Sequence, residues 1–244
     1  MLQKSRGIIF HTTDYSETSI IAKIYTEDFG LQSFLVNSVR KKNARIRSSI
    51  FQPLSLVELV FYHKDRGGLQ RISEIRNTIP YREIPFDSIK SSMVLFLNEV
   101  LYRSIREESP NQGLFEFLFN SLQLLDIETS SGGNFHLIFL IKLTRYLGFF
   151  PHGQYNESSK IFDLKEGSFL SAIPIHPHFL NDAESLEFST LLATTGNMEG
   201  NQTLSLDMKR ILLDKLLEYY RLHIEGFGEI RSHKILGQVW SVSH

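Results

Sequence analysis

The hydrophobic period of this 244-residue chain changes once, and two prolines mark the place. Before NTIPYREIPF (77–86, with Pro80 and Pro85) apolar residues recur at every second position; beyond it they recur every three or four. A strand with two distinct faces needs the first pattern, and a helix with one buried face needs the second. The switch therefore places the main sheet in about the first 80 residues and a mostly helical region in the remainder. The reading is α+β in two domains, 1–80 and 81–244.

Five runs in the first part fit strands. RGIIFHT (6–12) opens, and in 20–25 Ile20, Ala22 and Ile24 alternate with Ile21, Lys23 and Tyr25. LQSFLV (31–36) follows the turn signal Asp28-Phe29-Gly30. LSLVELVFYH (54–63) and LQRISEIR (69–76) flank KDRGG (64–68), whose glycines suit a hairpin turn. Five short strands in some 80 residues are what a small closed, five-stranded barrel needs. No glycine fingerprint of a dinucleotide site follows any of them.

Beyond the prolines, Ile89, Met93, Phe96, Leu97 and Val100 share one face of a helix starting near Asp87. Leu114, Phe117, Leu118, Ser121, Leu122 and Leu125 mark a second helix. A third, 134–147, is apolar on most sides and predicts a buried central helix that Gly148 and Pro151 stop. Residues 152–176 read as irregular, with a small hairpin of KIFDL and SFLSAI around Lys165-Glu166-Gly167. A helix near 182–193 and a polar loop, 194–202, come next. The last long helix starts near 206, capped by Ser205, with Met208, Leu212, Leu216, Tyr220 and Ile224 at four-residue spacing.

Charge is distributed unevenly along the chain. The whole has 26 Lys+Arg and 27 Asp+Glu, but residues 1–80 hold 12 cations against 7 acids and residues 81–244 hold 14 against 20. Five of those cations, Arg40, Lys41, Lys42, Arg45 and Arg47, fall in VRKKNARIRSS (39–49), between the third and fourth strands, with no acid among them. Such a loop is either a solvated connection or a grip on phosphates, for which Arg supplies forks and Lys point charges. Small barrels bind single strands with a groove of cations and aromatics. Lys23, Tyr25, Phe34, Tyr62, Lys64, Arg66 and Arg71 are the candidates for that groove.

Catalytic and metal chemistry find little support. The chain has no cysteine, which excludes disulfides and thiolate metal sites. His152, His176 and His178, with Glu157 and Asp163 between them, lack the spacing of a metal helix, and Pro177 separates the last two histidines. There is no GxSxG and no GxxxxGK[ST]. The pair Glu107-Glu108 reads as surface charge. The opening MLQKSRGIIFHTTDY lacks the apolar core of a signal peptide, and Leu137–Ile141 is too short to span a bilayer, so a cytoplasmic protein is expected.

Several stretches, in order, resemble the bacterial recombination mediator family RecO. RGIIFHTTDYSETSIIAKIYTEDFGLQSFLVNSVRKKNAR (6–45) is similar to the family's opening, with its Y-x-E-x-S turn, YT-x-x-x-G hairpin and basic loop. FQPLSLVELVFYHKDRGGLQRISEI (51–75) resembles the hairpin that follows, and FLNEVLYRSIREESPNQGLFEFLFNSLQLLD (96–126) the first helical hairpin. LIKLTRYLGFFP (140–151) looks like the LLxxLGxxP end of the central helix, and IRSHKIL (230–236) the KS-x-x-L close. One departure stands out. Many family members place a four-cysteine zinc site after LGxxP, whereas HGQYNESSKIFDLKEGSFLSAI (152–173) has none. The resemblance thus implies a degenerate insertion without zinc or any other cofactor.

The resemblance implies an OB-like barrel followed by a helical domain, and a non-enzymatic DNA-binding protein acting in repair near the nucleoid. It implies binding of single- and double-stranded DNA, annealing of complementary strands, and joint action with RecR to load RecA on DNA coated by single-strand-binding protein. The DNA contacts would come from Arg40, Lys41, Lys42, Arg45 and Arg47, with Lys23, Lys64, Arg66 and Arg71. It further implies that the helical domain takes the acidic C-terminal tail of single-strand-binding protein. Lys142 and Arg145, three apart on the central helix beside Phe139 and Tyr146, are the candidates for that contact; their alternative role is snorkelling between neighbouring helices. No membrane partner is expected. A barrel-bearing RNA or translation factor and a histidine-dependent metallohydrolase remain the alternatives.

Overall fold

The computed structural model describes residues 1–41, 44–63, 68–128, 133–194 and 204–242. It divides into two compact units, Met1–Ile127 and Glu128–His244.

The first unit is built on strands β1 (Leu2–Asp14), β2 (Ile20–Thr26), β3 (Gly30–Val36), β4 (Leu56–Tyr62) and β5 (Gln70–Asn77). They close into a barrel in the order β1-β2-β3-β5-β4. Closure depends on β1, which runs further toward the N-terminus than the sequence pattern suggests. Residues 2–8 pair with β4, residues 7–14 pair with β2, and the register breaks between Ile9 and His11. That irregularity bends one long strand between two neighbours, as a bulge does at a barrel corner. β3 and β5 complete the ring as the one parallel pair, Phe34 opposite Gln70 and Leu35 opposite Arg71. This order defines an OB-fold barrel. Its interior is filled by Ile9, Ala22, Ile24, Phe34, Leu59, Phe61 and Ile72, all of them buried.

The turns follow from their residues. Gly30 has φ +63, and a Cβ there would meet Ser109 O at 2.5 Å, so the β2–β3 corner needs glycine. Thr26 Oγ1 donates to Gly30 O at 2.8 Å, closing the same corner. In the earlier turn, Tyr15 N and Ser16 N both donate to Ser19 O.

Helices α1 (Ser88–Ser104) and α2 (Gln112–Ile127) belong to this unit too. Asp87 caps α1 through Ile89 N and Lys90 N, and Asn111 Oδ1 accepts from Leu114 N at the start of α2. Part of the barrel's outer surface lies against them: Tyr25 faces Phe115 at 6.2 Å, and His11 stacks on Tyr102 at 4.7 Å. Arg6 lies 4.8 Å over the Phe119 ring and pairs with both Glu27 and Glu116, which raises its already high pKa. Asp126, 5% exposed, accepts from the backbone N–H groups of Arg82, Glu83 and Ile84 at 2.8–3.1 Å. The proline segment is thereby pinned to the end of α2.

In the second unit, α3 (Phe135–Leu147) is buried on most sides and stops at Gly148 with φ +86. Strands β6 (Ile161–Asp163), β7 (Ser168–Leu170) and β8 (Phe179–Leu180) form a small sheet in the order β7-β6-β8. The predicted hairpin is present, and the two-residue β8 is an addition too short to show a period. Helices α4 (Asp182–Thr194) and α5 (Leu206–His223) follow, Ser205 Oγ accepting from Met208 N at 3.2 Å. A further helix, α6 (His233–Val242), lies where the sequence reading placed none. Among residues 233–239, whose burial is described, only Leu236 enters the core, too few to register as a period. Tyr220 Oη donates to Leu140 O at 2.7 Å, joining α5 to α3, and burial raises its pKa well above the usual phenol value.

The cysteine-free insertion is held by packing. Phe162 is fully buried among Phe169, Phe188 and Tyr219, with ring centroids 4.7–6.0 Å away. Asp163 Oδ1 accepts from Lys165 N and Glu166 N, which fixes the turn into Gly167. His178 Nδ1 meets Glu218 Oε1 at 2.5 Å and His176 Nε2 meets Asp163 Oδ2 at 3.2 Å.

Candidate nucleic-acid interface

The basic loop is anchored by apolar residues and presents its charges outward. Val39 is buried, and Ile46 and Ile50 pack against the barrel core. Between these anchors Arg40, Lys41, Arg45 and Arg47 are exposed. Ser38 takes φ +61, and Lys41 N donates to Ser38 O, so the chain turns sharply as it leaves β3. A 3₁₀ turn, Ser48–Phe51, leads back to β4. An open, shallow depression of about 500 Å³ is lined by Val39, Arg40, Lys41, Ala44, Arg47, Ser48 and Ser49.

Not every cation is equally available. Arg40 pairs with Asp14, and Arg45 lies 3.3 Å from Glu74 of β5. Lys41 and Arg47 have no ion pair among the described residues. Lys42 lies outside the described residues, as do Lys64 and Arg66 of the β4–β5 turn.

The other groove candidates separate. Lys23 is half-buried, its Nζ 5.4 Å from the centroid of Tyr102 of α1. Burial, helped by the Lys23 charge, lowers the pKa of His11. Tyr25 is buried and its phenol is pushed up to about 12, chiefly by desolvation; Phe34 is inside the barrel. Arg71 and Tyr62 instead lie opposite one another on β5 and β4, both exposed.

In the second unit, Arg145 lies over the Phe150 ring at 4.4 Å and Tyr146 is 37% exposed. Lys142 is half-buried, and burial together with the Arg145 charge lowers its pKa. Phe139 is fully buried and stacks on Phe135 at 6.1 Å, so it supports the helix from inside and offers no surface to a ligand. Sequence periodicity placed it beside Lys142 without indicating which side of an apolar helix is covered.

Among the described residues no group of three or more His, Cys, Asp or Glu is placed to hold a metal ion. Nor, among them, is any helix long and apolar enough to cross a membrane.

A closed five-stranded OB barrel with an acid-free basic loop defines a class: a barrel of the kind that grips oligonucleotides or oligosaccharides, here with a helical region following it. The family is specific. The description "Recombination protein O N terminal" matches residues 1–81 and "Recombination protein O C terminal" matches residues 85–232. Proteins named DNA repair protein RecO are similar over nearly the full length. That of Phocaeicola vulgatus is 36% identical over 241 residues, 99% of this chain and 100% of its own. That of Bacteroides fragilis is 37% identical over 245 residues, covering 98% and 100%. That of Flavobacterium psychrophilum is 36% identical over 242 residues, covering 98% and 99%. The chain belongs to the RecO family.

Proposed function

We propose that this protein is a non-catalytic mediator of DNA repair and recombination that binds single- and double-stranded DNA through the barrel and its basic loop. The observation that carries the reading is the loop itself: apolar residues hold it to the barrel while Arg40, Lys41, Arg45 and Arg47 are exposed. Cations so arranged neutralise phosphates of one strand and lower its repulsion of a second, the physical requirement for annealing complementary strands.

The reading assigns DNA binding to residues 1–80 and partner contacts to the helical remainder. RecR and the acidic C-terminal tail of single-strand-binding protein are the proposed partners, with RecA loading as the outcome. Lys142 and Arg145 supply the charge that an acidic tail requires.

The test is equilibrium binding to matched DNA and RNA oligonucleotides, using the full chain and a variant with Arg40, Lys41, Lys42, Arg45 and Arg47 all replaced by Gln. The expected result is DNA preferred over RNA, with weakened binding and a shallower salt dependence in the variant. Unchanged affinity and salt slope in the variant would show the loop to be solvated only. A preference for RNA would transfer the barrel to a different class of substrate.

A further inference from the structure

Three aromatic residues of the barrel were candidates to stack on bases, and burial separates them. Tyr25 and Phe34 are at most 1% exposed, whereas Tyr62 is 52% exposed. Tyr62 ends β4 with its ring outward and has no hydrogen bond or ring partner among the described residues. Strand pairing places Leu2, itself 55% exposed, on one side of it and Arg71 on the other. An exposed aromatic ring between an exposed leucine and an arginine suits a ligand with a flat apolar face and an adjacent anion.

The charges around Tyr62 narrow the choice. The described acids beside it on β4 and β5 are matched: Glu58 by Lys4 at 3.0 Å and Arg76 at 2.6 Å, Glu74 by Arg45 at 3.3 Å. Arg71 makes no ion pair among the described residues. The Arg45–Glu74 pair also ties the basic loop to the strand that carries Arg71. Because the register shifts between them, Arg71 and Glu74 lie opposite Tyr62 and Val60, two strand positions or about 7 Å apart, roughly two stacked nucleotides of one strand.

We infer that Tyr62 is a stacking platform for an unpaired base of single-stranded DNA, with Arg71 on the adjoining phosphate, so that one strand runs from the loop across β5 to β4. The inference rests on the DNA-binding reading and adds to it a strand-selective element. In a duplex the base faces are stacked on one another, and only an unpaired base offers its π-face to a tyrosine. The loop contacts phosphates, which both forms of DNA present; the Tyr62 site distinguishes between the two forms.

The experiment uses the full chain, a labelled single-stranded oligonucleotide and a duplex of the same length, each titrated at several salt concentrations. Tyr62→Ala should weaken single-strand binding by roughly 5- to 100-fold, with duplex affinity and both salt slopes unchanged. Tyr62→Phe keeps the ring and should bind as the parent does. Arg71→Gln should lower the single-strand slope by about 0.7. Single-strand affinity unchanged in Tyr62→Ala overturns the inference and leaves the patch to a protein partner. So does an equal loss for single strand and duplex, or a Tyr62→Phe variant as defective as Tyr62→Ala. The loop variant fails separately: if it binds like the parent while Tyr62→Ala does not, the loop reading is lost and the platform stands. A parent chain that binds neither form removes both.

Discussion

If the loop grips phosphates, its cations should contribute unequally, because two of the described ones already have carboxylate partners. The perturbation is a pair of double variants, Lys41→Gln/Arg47→Gln and Arg40→Gln/Arg45→Gln. Lys41 and Arg47 have no ion pair among the described residues, so each is available to displace a counterion from DNA. Losing two such contacts should make the slope of log K against log salt for a single strand shallower by about 1.4. Between 50 and 200 mM salt this difference alone narrows the gap between parent and variant by about sevenfold. Arg40 and Arg45 must first exchange Asp14 and Glu74 for phosphate, and as long as they do not, their removal leaves the slope unchanged. Affinity in that second variant still falls, because the uncovered carboxylates repel the strand. Slope rather than affinity is therefore the discriminating quantity, read by fluorescence anisotropy at four or more salt concentrations. Equal slope changes in the two variants would refute the reasoning, as would no change in Lys41→Gln/Arg47→Gln.

Three other outcomes are expected. Asp126→Ala leaves three backbone N–H groups without their shared acceptor and should cost about 2–4 kcal/mol, lowering the melting temperature by about 5–15 °C; Asp126→Asn, which keeps one acceptor oxygen, should lose clearly less. His136 is fully buried, and burial, helped by the Lys209 charge, lowers its pKa from 6.5 to about 3. The unfolded chain therefore binds the proton first, and stability should fall as pH drops below 6.5 toward 3, by about 1.4 kcal/mol per unit at the steepest; urea titrations at pH 7 and 4.5 should show a smaller difference in His136→Met than in the parent. Lys142→Ala/Arg145→Ala should weaken binding of a single-strand-binding-protein tail peptide by calorimetry while leaving naked-DNA affinity intact, and joint loss of both would put the tail contact elsewhere.

Most of the barrel was legible because its interior obeys a period of two. Ile20, Ala22 and Ile24 point inward, and so do Phe34, Val36, Leu59 and Phe61. The long helices were legible for the corresponding reason, with Asp87 and Ser205 as caps. What the pattern does not carry is the second layer. Alternation says that Lys23, Tyr25 and Tyr62 face away from the barrel core, but not that α1 and α2 cover the first two and leave the third in solvent. Nor does it locate the end of the compact unit at Ile127, since the prolines mark only where sheet gives way to helix. The pairs Arg40–Asp14 and Arg45–Glu74 join residues 26 and 29 positions apart, beyond the reach of any local rule. The register break in β1 is equally silent in sequence, because Phe10 looks like any other apolar strand residue and bends the strand only in the context of closure.

The positive charge concentrated in the first 80 residues then divides into two groups with different physical roles. Lys4 and Arg76 share Glu58, Arg6 lies between Glu27 and Glu116, Lys23 rests on Tyr102, and Arg40 and Arg45 have Asp14 and Glu74. Each of these cations has a local partner that accounts for its place. Among the described residues, Lys41, Arg47 and Arg71 are left with neither an ion pair nor a ring partner, two in the loop and one on the strand to which the loop is tied. If cations were placed only for solubility, the unpaired ones should scatter over the barrel. Lys41 and Arg47 instead share the loop that Arg45 ties to β5, and Arg71 lies on that strand opposite the exposed Tyr62, a grouping that the proposed binding of a polyanion with flat apolar groups requires. The net charge of the whole chain, near zero, conceals this because the acids of the helical region cancel it in the sum while lying elsewhere in the sequence.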